Sequence, residues 1–183
     1  VEIAQVDANN RPIKETAWTV DCDALVLSVG LIPENEVAKG ARASGNTPFG
    51  AILVGADGTI LMEQGNAEGD LHDATAHAER MLASRASQTF DRDTLWGSTL
   101  YTTCEPCPMC TGAIYWANIG KIVYGISEAR LLELTGADDK NPTFAMGAEK
   151  VIAAGQKDIG LEGPVPEVEE EVVEVHKGFW NKG

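Results

Sequence analysis

The segment "STLYTTCEPCPMCTGAIYWANIGKIVYGIS" limits the fold more than any other part of the sequence, because three cysteines lie where a strand pattern changes into a helix pattern. Residues 98–103 alternate and contain β-branched and aromatic side chains, which predicts a strand. Residues 107–118 predict a helix, and Pro106 and Pro108 lie at its entrance, where the first turn has no backbone donor to lose. A buried strand is predicted over 121–127. Functional sites in α/β folds lie where a strand ends and the next helix begins, and the cysteines occupy that position.

The flanking sequence continues this alternation of strands and helices. Residues 51–55 and 59–64 predict two short strands joined by a tight turn at 57–58. The segment "HDATAHAERMLASRASQ" (72–88) contains no Gly or Pro and predicts a helix. Three later elements are predicted: a helix at 128–135, a strand near 158–163 and an acidic helix over 166–179. The order predicts an α/β fold, namely a three-layer α/β/α sandwich around a central mixed sheet of about five strands.

The spacing of Cys107 and Cys110 places both sulfurs on one face of the first turn of a helix, where they can share one cation. The helix N-terminus also favours the thiolate form. This spacing alone fits either a redox pair or a metal site. His77, upstream on the other predicted helix, favours a metal site. One imidazole and two thiolates leave the fourth tetrahedral position of zinc for water, which is the arrangement of a catalytic site.

Glu79 lies shortly after His77 in the segment "HAE" and is the natural proton shuttle for such a site. Two residues so spaced on a regular helix point about 200° apart. The two side chains can therefore serve one substrate only at the N-terminal end of the helix, close to its axis. We predict that the site lies there.

The combination of "HAE" (77–79) with "PCPMC" (106–110) resembles the signature of the zinc-dependent cytidine and deoxycytidylate deaminase superfamily. The likeness extends from "GNTPFGAILV" to the C-terminal "GFW", roughly three quarters of the chain, and is most specific across "YTTCEPCPMCTGAIYWA". Within the superfamily the chain is most similar to bacterial guanine deaminases and related nucleoside or nucleobase deaminases, and less to tRNA adenosine deaminases. The resemblance implies the cytidine deaminase-like form of the predicted sandwich.

The resemblance also implies that His77, Cys107 and Cys110 bind zinc and that Glu79 transfers protons. The superfamily places no ligand at Cys104. In the alternative interpretation, Cys104 is a fourth ligand that closes a purely structural site.

Substrate contacts are implied by the same resemblance. Asn66 matches an asparagine that hydrogen-bonds the base, and the backbone around Ala78 would contact the ring. Asp139 or its neighbour would help to bind a purine. Phe49 and Trp180 are candidates to pack near the base, with core packing as the alternative.

The net charge of −14 disfavours polyanionic partners, because the 14 basic residues are scattered and form no evident patch. We therefore expect a small-molecule substrate, and neither DNA nor a membrane as partner. The longest apolar stretch, residues 24–32, is about half of the ~20 residues that span a bilayer, and no signal sequence is evident, so we expect a cytoplasmic protein. Relatives form dimers, which implies a homodimer. Trp116 is predicted to lie in the core or at the dimer interface, and His176 to have a surface or capping role.

The N-terminal segment, residues 1–33, does not fit the deaminase pattern. The segment "TVDCDALVLSVGLIPENE" resembles part of an FAD-dependent pyridine-nucleotide oxidoreductase, but it has no G-x-G-x-x-G fingerprint. We interpret residues 1–33 as an N-terminal extension without function and expect no flavin. Residues 34–183 are predicted to form the deaminase domain.

The leading functional hypothesis is a zinc-dependent hydrolase that removes an amino group from a nucleobase or nucleoside, with guanine favoured. Cytosine, adenosine or another aminated heterocycle is possible. The alternative within enzymes is deamination of tRNA adenosine, which the negative charge opposes. The alternative outside enzymes is a non-catalytic module with structural zinc.

Overall fold

The computed structural model describes residues 2–3, 18–19, 32–136, 138, 141–142 and 144–180. The chain divides into two compact units, residues 1–30 and 31–183. In the first unit, strands β1 (Glu2–Ile3) and β2 (Trp18–Thr19) pair antiparallel. The FAD-enzyme resemblance of residues 1–33 stays a prediction.

The second unit is organised around a mixed sheet of five strands. These are β3 (Gly50–Val54), β4 (Ile60–Gly65), β5 (Thr99–Cys104), β6 (Lys121–Ile126) and β7 (Gly160–Glu162). Their spatial order is β4-β3-β5-β6-β7, with antiparallel pairing around β3 and parallel pairing from β5 to β7. The predicted mixed five-stranded α/β architecture is confirmed.

Helices cover both faces of this sheet. They are α1 (Ile32–Ala43), α2 (Glu68–Leu71), α3 (Ala78–Thr89), α4 (Arg92–Trp96), α5 (Pro108–Ala117), α6 (Glu128–Thr135), α7 (Ala148–Ala153) and α8 (Glu169–His176). Successive strand residues point to opposite faces. Gly50 of β3 approaches the backbone of α1, whereas Ala51 packs in the same core cluster as Leu82 of α3. Helices α1 and α3 therefore form the two outer layers, and α8 contacts α1 while α5 contacts α3.

Two predicted helix boundaries were wrong. The helix predicted over 72–88 begins only at Ala78, because Asp73 forms a local turn in which its carboxylate accepts hydrogen bonds from the backbone and hydroxyl of Thr75. The helix predicted over 166–179 consists of a 3-10 turn at Pro166–Val168 followed by α8. Among the described residues, no helix has the length and apolar character needed to cross a membrane.

Candidate active site

Three side chains of the types that bind zinc converge where α3 and α5 begin. Nδ1 of His77 lies 3.7 Å from Sγ of Cys107 and 3.5 Å from Sγ of Cys110. All three ligand-type atoms lie within 4.8 Å of one another. An imidazole and two thiolates at this separation fit a tetrahedral zinc ion and leave one coordination position open.

The beginnings of both helices explain this convergence. His77 and Cys107 are the residues that precede α3 and α5, and both have extended backbone conformations. Pro108 occupies the first position of α5, and the Thr111 hydroxyl donates to the carbonyl of Cys107. Because His77 precedes the regular helix, the opposed orientation that helix geometry would impose on His77 and Glu79 does not apply. The possible zinc ligands thus lie at the N-terminal end of this helix, where the sequence predicts the site.

Glu79 is buried beside these ligands, with 5% of its surface exposed. The Thr102 hydroxyl donates to its Oε1 at 3.1 Å, and Sγ of Cys110 lies 3.5 Å from its Oε2. Burial raises the pKa of Glu79, and the nearby Cys107 thiolate raises it further. This environment therefore favours the protonated form of the carboxyl group more than water does.

The side chains of Cys107 and His77 stabilise each other's charged forms. The pKa of Cys107 is lowered to about 4, chiefly because its thiolate accepts a hydrogen bond from Cys110. The pKa of His77 is raised to about 9, chiefly by its hydrogen bond to Cys107. One thiolate is thus present at neutral pH, which is the form that a metal requires.

A cavity of about 440 Å³ opens onto the ligand cluster. This volume lies within the range of small-molecule sites. Its lining combines carboxylates, amides and apolar side chains: Phe49, Asn66, Glu68, Ala74, His77, Glu79, Cys104, Glu105, Cys107, Met109, Glu128, Leu131, Asn141, Pro142 and Phe144. The cavity has room for one heterocyclic base beside the metal ligands.

The other residues predicted to contact substrate have different positions. Asn66 and Phe49 line the cavity. Ala78 is fully buried at the start of α3, next to His77. Trp180 packs behind Phe49 with ring centroids 6.1 Å apart and is not among the lining residues. Asp139 lies outside the described residues.

Several lining residues were missed by the sequence reasoning. Glu128, the first residue of α6, follows the carboxyl end of the parallel strand β6, and this position is a signal that could have found it. Burial is the main cause that raises the pKa of Glu128 to about 7. The amide nitrogen of Asn141 is buried without a hydrogen-bond partner. No local sequence pattern predicts that Asn141 or Glu68 lines the cavity, because only the tertiary structure brings each of them there.

His176 is buried behind the cavity, with 2% of its surface exposed, so its predicted surface or capping role was wrong. Nε1 of Trp180 donates to its Nδ1 at 3.0 Å, and its Nε2 lies 3.7 Å from Sγ of Cys104. Cys104 thus contacts His176, and it lies outside the group of potential metal ligands identified among the described residues.

Residues 34–126, about half of the chain, match the family described as the cytidine and deoxycytidylate deaminase zinc-binding region. The chain belongs to this deaminase family. Zinc is therefore its cofactor, and the arrangement of His77, Cys107 and Cys110 fits a zinc site. Membership agrees with the resemblance found in the sequence.

Curated relatives of the deaminase include enzymes with different substrates. A probable cytosine deaminase of Schizosaccharomyces pombe is 36% identical over 148 residues, which cover 81% of this chain and 88% of that protein. Guanine deaminase of Bacillus subtilis is 41% identical over 101 residues, covering 55% of this chain and 64% of that protein. The tRNA-specific adenosine deaminase of Agrobacterium fabrum is 38% identical over 93 residues, which cover 51% of this chain and 60% of that protein. This deaminase thus spans less than two thirds of the last two proteins.

Solved structures have the same fold as the deaminase described here. A structure from work on A-to-I editing by tRNA:A34 deaminases has a TM-score of 0.60 at 28% identity and covers 79% of this chain and 96% of its own. Guanine deaminase from Nitrosomonas europaea has a TM-score of 0.64 at 18% identity and covers 88% of this chain and 98% of its own. The second likeness supports the fold alone.

Proposed function

We propose that this deaminase hydrolyses the exocyclic amino group of a free nucleobase or nucleoside, with guanine as the first candidate and cytosine as the next. One observation carries the proposal. A buried carboxyl, Glu79, lies 3.5 Å from Sγ of Cys110, in a group of three zinc-type ligands that faces a cavity of about 440 Å³. The reaction needs these parts together: a metal, a proton shuttle and room for a heterocycle.

Each residue has a role in the proposed reaction. His77, Cys107 and Cys110 hold zinc, which when bound supplies a water molecule of lowered pKa. Glu79 accepts a proton from the attacking water and delivers it to a ring nitrogen of the base. The water oxygen forms a bond to the amino-bearing carbon. Glu79 then takes the second proton from this oxygen and transfers it to the amino group, so that the carbon–nitrogen bond breaks, ammonia leaves and a carbonyl group forms.

In this proposal, residues around the cavity orient the base. Asn66 donates or accepts a hydrogen bond at the ring edge, the backbone at Ala78 contacts the ring, and Phe49 packs against its face. Trp180 supports Phe49 from behind. Asp139 stays a predicted purine contact.

The preference for a small substrate is supported by charge. The chain has a net charge of −14, and three acidic side chains line the cavity besides Glu79, namely Glu68, Glu105 and Glu128. A nucleic acid backbone would be repelled by such a surface, whereas a neutral base would not.

Deamination of tRNA adenosine is a second candidate. The tRNA-specific adenosine deaminase of Agrobacterium fabrum is 38% identical to this chain over the matched region, and the structural likeness to the tRNA:A34 deaminases supports the same possibility. A substrate panel separates the two candidates directly.

A non-catalytic module with four zinc ligands is the third candidate. Cys104 is the only further cysteine near the site among the described residues. Its Sγ lies 3.7 Å from Nε2 of His176 and contacts this histidine instead of the zinc ligands. Cys104→Ser should therefore keep both zinc and activity. Loss of zinc from this variant would support the closed, structural site.

The test of the proposal is ammonia release by protein of known zinc content. The panel contains guanine, adenine, cytosine, their nucleosides, aminated triazines and pterins, and a tRNA with adenosine at the wobble position. We expect release from a free base or nucleoside at about one zinc per chain. Release from the tRNA alone would favour the second candidate, and no release from any substrate at full zinc occupancy would contradict the proposed function.

A further inference from the structure

We infer that Glu68 is a positioning residue, which fixes the zinc ligand His77 and the base-binding amide of Asn66 at the same time. The inference rests on the proposed function, because that proposal assigns His77 to zinc and Asn66 to the base. Glu68 begins the four-residue helix α2 and lines the cavity. It belongs to neither the H-x-E nor the P-C-x-x-C motif.

The first contact concerns the imidazole of His77. Its Nδ1 faces the sulfurs of Cys107 and Cys110, and its Nε2 lies 3.5 Å from Oε1 of Glu68. A histidine that binds a metal through one nitrogen commonly donates the hydrogen on the other to a carboxylate, which fixes the tautomer and the ring orientation. Glu68 occupies the position of that carboxylate.

The second contact concerns Asn66. Its Nδ2 donates to Oε2 of Glu68 at 2.9 Å, and the backbone N–H of Glu68 donates to its Oδ1 at 3.0 Å. Each end of the Asn66 amide is thereby fixed by the same residue. This contact determines which way the amide faces, and each end keeps one further hydrogen-bonding position for a substrate.

A third partner shows why the residue is a carboxylate. The Thr47 hydroxyl donates to Oε2 of Glu68 at 2.9 Å, as the Asn66 amide does, and Nε2 of His77 lies within ion-pair distance of Oε1. An ionised carboxylate accepts at both oxygens, whereas a glutamine presents an NH₂ group at one of them. The NH₂ group of a glutamine at position 68 would therefore face one of these donors instead of accepting a hydrogen bond from it.

The experiment compares Glu68→Gln with wild type, His77→Ala and Asp70→Asn. Zinc affinity is measured on purified protein by competition with a chromophoric chelator, with no substrate present. Asp70 is the matched control, because it lies on α2 and its carboxylate accepts from Asn46 instead of His77. We expect Glu68→Gln to weaken zinc binding by about tenfold or more, Asp70→Asn to bind like wild type, and the unfolding midpoints of the zinc-free proteins to agree.

Two results would overturn the inference while leaving the proposed function intact. One is wild-type zinc affinity in Glu68→Gln when His77→Ala has lost zinc. The other is equal weakening in Glu68→Gln and Asp70→Asn, which would assign the effect to helix α2 as a whole. Retention of zinc by His77→Ala would instead show that the proposed metal site is wrong, and Glu68 with it.

The Asn66 contact is tested with the substrate found active in the panel. Glu68→Ala removes the acceptor for Asn66 entirely, and we expect its KM at saturating zinc to rise several-fold more than its kcat falls. An unchanged KM in this variant would overturn the assignment to Asn66.

Discussion

At the scale of single residues, the unusual environments lie at the bottom of the cavity. Glu79 combines near-complete burial with a hydrogen bond from Thr102 and a contact with Sγ of Cys110. A carboxyl there is desolvated and fixed in orientation, which suits the transfer of a proton but contributes no evident support to the fold. Its effect is therefore expected in catalysis and not in metal binding.

Glu79→Gln keeps the shape of the side chain and removes its proton-transfer capacity. We expect kcat to fall by about 10²–10⁴-fold, with zinc retained at about one per chain, measured by ammonia release and metal analysis. Glu63→Gln, which changes an exposed carboxylate on β4, is the control and should be fully active. Normal turnover by Glu79→Gln would contradict its assignment as proton shuttle.

His176 predicts a pH dependence of stability. Burial and the nearby charge of Arg42 lower its pKa to about 4 in the folded state, from 6.5 in the unfolded chain, and the Cys104 thiol that faces it stays neutral because burial raises its pKa. The unfolded state therefore binds a proton more readily as the pH falls below 6.5. The contribution to the free energy of unfolding should drop by about 2 kcal/mol between pH 7 and pH 5.

The measurement is urea unfolding of wild type and His176→Gln at both pH values. The variant cannot bind this proton, so its stability should fall by less than that of wild type over the same interval. Parallel losses in the two proteins would show that His176 is not the titrating group.

At the scale of elements, the close packing of α8 on β6 holds the C-terminal residues behind the cavity. A Cβ atom on Gly125 would lie 2.7 Å from the carbonyl oxygen of Thr103 and 2.9 Å from Cγ2 of Val172. Both distances are shorter than ordinary contacts. The helix can approach the strand only because residue 125 has no side chain.

Gly125→Ala should therefore force α8 and β6 apart and lower the free energy of unfolding by about 1–3 kcal/mol. Gly112→Ala is the matched control, since a Cβ at this position of α5 meets nothing within 4 Å. This second substitution should stabilise the helix by about 0.5–1 kcal/mol. Urea unfolding of both variants tests the difference, and equal effects would show that the contact with Val172 is unimportant.

At the scale of the whole molecule, the large apolar side chain with the highest exposure among the described residues lies on α5. Trp116 on α5 is 79% exposed, which excludes the core position that the sequence left open. An indole this exposed is unfavourable in water and is common at interfaces. Its location at a homodimer interface stays a prediction.

Trp116→Glu should shift the protein from dimer to monomer in sedimentation velocity. Leu132→Glu is the control, because Leu132 is an exposed apolar residue, 44% accessible, on α6. A wild-type monomer, or an unaffected Trp116→Glu dimer, would rule out this interface.

The sequence by itself determined the elements whose signals are local. The turn at Asp57-Gly58 joins β3 and β4 as predicted, and Gly58 has the positive φ that such a turn requires. Pro108 begins α5 where the missing N–H has no cost. These signals act within a few residues, so no knowledge of the fold is needed to interpret them. The motifs "HAE" and "PCPMC" can likewise each be recognised without the fold, and their combination identified the deaminase family.

Only the tertiary structure decided the rest. The start of α3 was missed because residues 73–75 can form either a turn or the first part of the helix. Tertiary packing decides which of the two forms, and the turn at Asp73 is observed. The burial of His176 and the approach of Glu68 to His77 join residues that are distant or unpatterned in sequence. The cavity wall depends on which loops the sheet brings together. Composition and periodicity describe one segment at a time, whereas the polarity of a binding site is a property of several segments packed against one another.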